Sequence, residues 1–125
     1  MILYLNSVKN EGQQIEVKLI KAGKEVFSQT INARGQQAEK LIPAVMKALK
    51  YSQVNMPAIK QIKVENSGGS FTALRIGVTT ANALAYALGI EVKGTLPGKK
   101  IKTLFSIVEP LYHCDPNITF SANKL

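Results

Sequence analysis

The stretch Asn66-Ser-Gly-Gly-Ser-Phe-Thr-Ala-Leu-Arg-Ile-Gly77 opens an apolar segment that runs to Leu88 without a proline. Adjacent glycines allow a tight turn with positive φ, and a serine directly after them suits a helix N-cap. The pattern predicts a helix over residues 70–88, stopped by Gly89. Two uses of the turn stay open. Backbone N–H groups at Gly68, Gly69 and Ser70 could cradle an anion at the helix start. Alternatively, the glycines let two backbones come close. No lysine follows in the manner of a Walker loop, and the GxGxxG spacing of dinucleotide folds is absent.

Working outward, Ile59 to Glu65 reads as a short strand before the turn, and Ile90 to Lys93 as another after the helix. Further back, Ile15, Val17 and Leu19 alternate with Glu16 and Lys18. A second alternating run, Lys24 to Ile31, follows the Ala22-Gly23 turn, which makes a hairpin. Residues 1–6 supply an earlier strand, separated by the Asn10-Glu11-Gly12 turn. From Gln36 to Tyr51 the period becomes helical, with Ala38, Leu41, Ile42, Val45, Met46 and Leu49 on one expected face. Pro43 should kink this helix or sit in its first turn. The order β-β-β-α-β-α-β predicts an α/β fold, a mixed sheet with helices packed on it. That order resembles a single ribonuclease-H-like lobe, the unit of actin-like ATPase (ASKHA) domains. Residues 1–100 form this expected lobe, and 101–125 a C-terminal extension.

Composition narrows the function. The chain has 125 residues, enough for one core, and 46% are hydrophobic. No apolar run reaches the ~18 residues of a membrane span, and Met1-Ile-Leu-Tyr-Leu5 lacks the basic flank of a signal peptide. A lone Cys114 excludes a disulfide framework and fits a reducing cytosol. The net charge of +8 fits contact with nucleic acid or an acidic protein. A tRNA footprint would use Lys60, Lys63, Lys93, Lys99, Lys100 and Lys102. These lysines are spread out, and only Arg34 and Arg75 are arginines, so base-specific reading is not expected.

Catalytic chemistry finds few groups. Two-metal hydrolysis needs carboxylates, usually beginning on the first strand, but that strand ends in Asn6-Ser7. Asp115 is the only aspartate. His113 and Cys114, adjacent in sequence, provide neither a zinc set nor an oriented dyad. No metal, cofactor or catalytic residue is therefore expected. The helix offers something else: Ala73, Gly77, Ala81, Ala85 and Gly89 recur every four residues. Such a small-residue stripe admits a close neighbour, either this chain's own sheet or a partner. The other faces of the helix are also apolar, which favours burial on more than one side. The expected partner-binding residues are Leu41 and Val45 on the first helix and Ala73, Gly77, Ala81 and Ala85 on the second.

Residues Gly69 to Gly77 resemble the "GPGSFTGLRIG" signature of the bacterial TsaB (YeaZ) family. The motif residues here are Gly68, Gly69, Ser70, Phe71, Thr72 and Arg75. Leu41-Ile42-Pro43 resembles the family's "LLP", Gly94-Thr95-Leu96 its next segment, and Glu109-Pro110-Leu111-Tyr112 its "EPxYLR". The resemblance implies an ASKHA fold and a non-catalytic role in making threonylcarbamoyladenosine (t6A) on tRNA. It further implies docking, through the two helices, to a TsaD-type catalytic subunit, with TsaE reached through the complex and tRNA contacted indirectly. A homodimer is the counterpart expected in isolation. A nucleic-acid-binding module is the alternative; a hydrolase, ribonuclease-H-like or peptidase, is disfavoured by the missing groups. The family's first-strand "DTS" is Asn6-Ser7 here, its histidine before "LLP" is Gln37, and its second lobe has no counterpart before the C-terminal motif.

Overall fold

In the computed structural model, residues 1–96 are described. The expected extension at 101–125, with His113, Cys114, Asp115 and the motif at 109–112, lies outside them, as do Lys99, Lys100 and Lys102.

Alternation in the first third of the chain builds a meander. Strand β1 (Ile2–Val8) pairs antiparallel with β2 (Gln14–Lys21), and β2 with β3 (Lys24–Asn32). The β1–β2 connection is a short helical turn, α1 (Lys9–Gly12), in which Asn10, Glu11 and Gly12 all have positive φ. Helix α2 (Gln37–Ser52) crosses to β4 (Gln61–Val64), and α3 (Phe71–Leu88) crosses to β5 (Glu91–Gly94). A single 3-10 turn, Met56–Ala58, lies in the loop before β4. Both late strands are parallel: β4 pairs with β1, and β5 with β4. The sheet order is β3-β2-β1-β4-β5. This is the expected mixed sheet, with strand ends shifted by at most two residues.

Both helices pack against the sheet and against each other. Leu3, Leu5, Ile15, Val17, Leu19, Ile62, Val64 and Val92 point from the sheet into the core. The helices return Leu41, Val45, Leu74 and Val78. Each such aliphatic side chain contributes about 1.5–3 kcal/mol by leaving water. The opposite sheet face carries Tyr4, Lys18, Glu16, Lys63 and Lys93, as alternation requires.

Helix α2 departs from expectation in one respect. Its buried face is Leu41, Ala44, Val45, Ala48 and Leu49, whereas Ala38, Ile42 and Met46 are exposed. The sequence places both sets at helical spacing, and the sheet takes only one. Pro43 sits neither in the first turn nor at a break: it is inside the helix, on its exposed side.

Candidate functional site

The Gly-Gly-Ser turn joins β4 to α3. Ser70 caps the helix, its hydroxyl accepting a hydrogen bond from the Ala73 N–H at 3.1 Å. Such a cap contributes about 1 kcal/mol. Gly68 and Gly69 have φ of +92° and +64°. A Cβ on Gly69 would collide with the Val8 side chain, while one on Gly68 would meet open space. Gly69 thus lets the turn lie against the end of β1, and that is the close-approach reading.

The close approach continues along the helix. Ser7 is fully buried, and its hydroxyl donates to the Ala73 carbonyl at 2.6 Å. One turn later, a Cβ on Gly77 would fall on the Ser7 hydroxyl and 2.8 Å from Ser7 Cβ. The small-residue stripe is therefore used inside the chain. Ala73, Gly77, Ala81 and Ala85 are buried, as are Leu41 and Val45. All six residues expected to bind a partner are covered within the chain itself. At Ala73 and Gly77 the close neighbour is the Ser7 hydroxyl on β1, which the helix sequence does not announce.

What the helices present outward is a different set. Ile42 and Met46 are 40% and 52% exposed on α2; Phe71 and Tyr86 are 42% and 65% exposed on α3. Ala38, Phe71, Thr72, Arg75, Ile76, Thr79 and Thr80 line an open depression of about 460 Å³. Three motif residues (Phe71, Thr72 and Arg75) thus line the surface, while Gly69 and Ser70 serve the turn. The Arg75 guanidinium lies over the Phe71 ring, 5.7 Å from its centroid.

At the C-terminal ends of β1 and β4, the polar side chains are engaged in structure. Asn6 Oδ1 accepts from the Val8 N–H. Glu65, which sequence reading did not single out, accepts from the Tyr4 hydroxyl at 2.9 Å and the Thr95 hydroxyl at 3.0 Å. Burial, the Glu65 bond and the Glu65 and Glu16 charges push the Tyr4 phenol well above its ordinary pKa. Asn66 is 1% exposed and clasps β5: its Nδ2 donates to the Leu96 carbonyl and its Oδ1 accepts from the Leu96 N–H, both at 3.0 Å. Gln37, which stands where the resembled family has histidine, donates to the Gly12 carbonyl at 2.6 Å and ties α2 to the β1–β2 turn. Among the described residues, no group of three or more His, Cys, Asp or Glu could hold a metal ion. None of the described helices is long and apolar enough to cross a membrane.

The described lysines of the expected tRNA footprint are exposed but interleaved with acids. Lys63 and Lys93 are cross-strand neighbours on the outer face of the sheet, with Glu91 3.9 Å from Lys93. Lys18 on the same face bonds Glu25 at 2.8 Å, which raises the Lys18 pKa.

Comparison with known proteins agrees with this geometry. The model of a family described as TsaD, tRNA N6-adenosine threonylcarbamoyltransferase, matches residues 26–95, more than half of the chain. Uncharacterized proteins of Mycobacterium tuberculosis and Mycobacterium leprae are 40% and 38% identical over 65 residues. That region is 52% of this chain but only 30% and 18% of theirs. Among solved structures, YeaZ from Pseudomonas aeruginosa superimposes with a TM-score of 0.68 at 26% identity, covering 75% of this chain and 42% of YeaZ. A second structure, of an uncharacterized protein with similarity to peptidase YEAZ from the same organism, matches equally well. The chain spans less than half the length of these relatives. It belongs to the family described as TsaD, tRNA N6-adenosine threonylcarbamoyltransferase, and within it has the ASKHA-like fold of YeaZ (TsaB).

Proposed function

We propose that this chain is a non-catalytic scaffold subunit in t6A modification of tRNA, docking a TsaD-type catalytic subunit through α2 and α3. The observation that carries the reading is the outward face of the two helices. Ile42, Met46 and Phe71 stand exposed and Phe71 lines a depression, while Ala73, Gly77, Ala81 and Ala85 of the stripe are spent on internal packing. A non-catalytic role is supported by the end of β1. Asn6 and Ser7 occupy the position where relatives with metal chemistry would place a carboxylate, and both are committed to structural bonds. The likeness to a peptidase stated for one neighbouring structure is said of that protein alone.

Docking is tested by mixing the chain with the TsaD-type protein of the same organism and measuring association by sedimentation. Introducing Ile42→Lys with Met46→Lys should abolish the complex and leave the circular dichroism unchanged, because both side chains already face water. Unchanged association would sink the reading. Gly77 and Ala81 are unsuitable probes, since substituting either disturbs the core.

The alternative is direct tRNA binding. It has less support, because Lys63 and Lys93 share their face with Glu65 and Glu91. A tRNA shift that weakens steeply with salt would favour it.

A further inference from the structure

The two edges of the described sheet are built differently. β5 is four residues long and carries Glu91 and Lys93, a short and charged form that discourages further pairing. β3 is nine residues long, and its register with β2 slips between Leu19 and Ile20, which leaves Val26 as the extra residue. Beyond that bulge, Phe27 to Asn32 contains no charge, proline or glycine. The Ala33 N–H bonds the Gln13 carbonyl. Antiparallel alternation then turns the backbone groups of Ile31, Gln29 and Phe27 toward β2, and those of Ser28 and Thr30 outward. Among the described residues no strand pairs with that side. The next outward carbonyl, that of Asn32, accepts a hydrogen bond from Lys40 Nζ of α2 at 3.1 Å.

Helix α2 lines this edge with Lys40, Lys47 and Tyr51, which share one stripe at i, i+7 and i+11. The Lys47 ammonium lies 5.8 Å from the centroid of the Tyr51 ring, and that ring is 6.2 Å from Phe27 on β3. The acid of α2, Glu39, falls on the other side, at helical spacing with Ile42 and Met46. Gln29 shares the helix-side face of β3 with Phe27 and Ile31. Its Oε1 is buried and has no hydrogen-bond partner among the described residues.

We infer that the β3 edge takes up an extended acidic segment of another protein as an added strand. This surface is separate from the Ile42 and Met46 side of α2, and the inference does not rest on the docking role. Backbone bonds to Ser28 and Thr30 would hold the segment, and its alternate side chains would be selected by what they meet. Those on the helix side fall beside Lys40, Lys47 and Tyr51. The two lysines are about 10 Å apart along α2. Carboxylates two to four residues apart on a strand span about 7–14 Å, which brackets that distance. A carboxylate that draws Lys40 away frees the Asn32 carbonyl to extend the ladder. An aliphatic side chain between the carboxylates meets Phe27 and Tyr51. A hydroxyl or amide opposite Gln29 supplies the donor its Oε1 lacks, once that amide turns outward.

A second copy is the poorer occupant. Two β3 strands paired about a two-fold axis would set α2 and its counterpart two strand spacings apart, about 10 Å. The lysine stripes would then face each other with no acid between them, and like charges repel.

The test uses the whole chain and fluorescent capped heptapeptides that alternate valine with glutamate or valine with lysine. By anisotropy the glutamate peptide should bind, and the lysine peptide should bind about 10-fold more weakly or worse. Lys40→Glu with Lys47→Glu should invert that preference. Thr30→Pro removes an outward N–H and leaves the β2 ladder intact, so it should weaken binding about 10-fold with unchanged circular dichroism. Hydrogen exchange with the glutamate peptide bound should slow at Ser28 and Thr30 and change little at Gln29, whose N–H already lies within the sheet. Ile42→Lys with Met46→Lys should leave peptide binding within about 2-fold, so failure of the docking role and failure of this inference are told apart. No anisotropy change with the glutamate peptide at about 1 mM overturns the inference. Equal binding of the two peptides removes the acidic preference, and binding without protection of Ser28 and Thr30 removes the added strand; either result overturns it too. Protection of both amides in the unbound chain does so equally. The edge would then be filled already, by a second copy if sedimentation gives a dimer and by the chain itself if it gives a monomer.

Discussion

Gly77→Ala adds one methyl group at the closest contact between α3 and the sheet. In an isolated helix the change would stabilise by about 1 kcal/mol, because alanine is the better helix former. Here the new Cβ would fall on the Ser7 hydroxyl and 2.8 Å from Ser7 Cβ. Ser7 is fully buried on a central strand and cannot swing away into solvent. Either α3 lifts from β1, at an overpacking cost of about 1–3 kcal/mol, or Ser7 rotates. Rotation gives up its 2.6 Å bond to the Ala73 carbonyl and leaves a buried hydroxyl unsatisfied, costing about 1–3 kcal/mol. With both effects partly engaged and the propensity gain subtracted, the net loss is about 2–3 kcal/mol. In a domain of this size that lowers Tm by roughly 10 °C. Urea unfolding followed by circular dichroism measures the loss directly. Ser7→Gly in the same chain removes both colliding atoms, so the double variant should be more stable than the two single losses sum to, by about 2 kcal/mol. A Gly77→Ala protein as stable as wild type, or additive behaviour in the cycle, would refute the claim that Ser7 dictates the glycine.

Other substitutions probe the same frame. Ser70→Ala should cost about 1 kcal/mol through the lost cap, with Ser70→Asp retaining most of the stability, by urea unfolding. Asn66→Ala, which leaves the Leu96 N–H and carbonyl without their clasp, should cost about 2–3 kcal/mol and speed hydrogen exchange at β5. Tyr4 gives an alkaline signature. Its folded pKa lies above the unfolded value near 10, so the folded state holds the phenolic proton more tightly. Stability from the neutral phenol is complete below about pH 10 and is lost as pH rises above it; Tyr4→Phe should flatten that limb in unfolding curves. If the wild type and Tyr4→Phe fall off together, Glu65 is not governing the phenol.

Much of the architecture could be read from pattern. Ile15, Val17 and Leu19 alternate with charged neighbours, and a period of two leaves little choice of face. The proline-free apolar run after Ser70 admits only a helix. The surface was harder to read, for a geometric reason. On α2, Ala38-Ile42-Met46 and Leu41-Val45-Leu49 are neighbouring stripes with the same four-residue spacing, and only the position of the sheet decides which is covered. On α3, the small-residue stripe has the same spacing whether it meets a partner or Ser7. That choice is set by a contact 70 residues distant in sequence. The Tyr4–Glu65–Thr95 chain joins three strands, so no local window contains it.

The strand order also has a consequence for how the chain assembles. Of the five strands described, β1 precedes the others, yet it lies in the middle of the sheet, with β2 on one side and β4 on the other. The meander can close as soon as residue 32 is available, since its turns are local. The other edge of β1 waits for residues 61–64 and for the α2 crossover that delivers them. Until then the innermost strand exposes an unpaired ladder, and pairings over long separations form slowly. A nascent or refolding chain is thus most open to wrong strand partners at its future centre. Pulse-labelled hydrogen exchange should find β2 and β3 amides protected before those of β4 and β5; simultaneous protection would show instead that the two halves form as one unit.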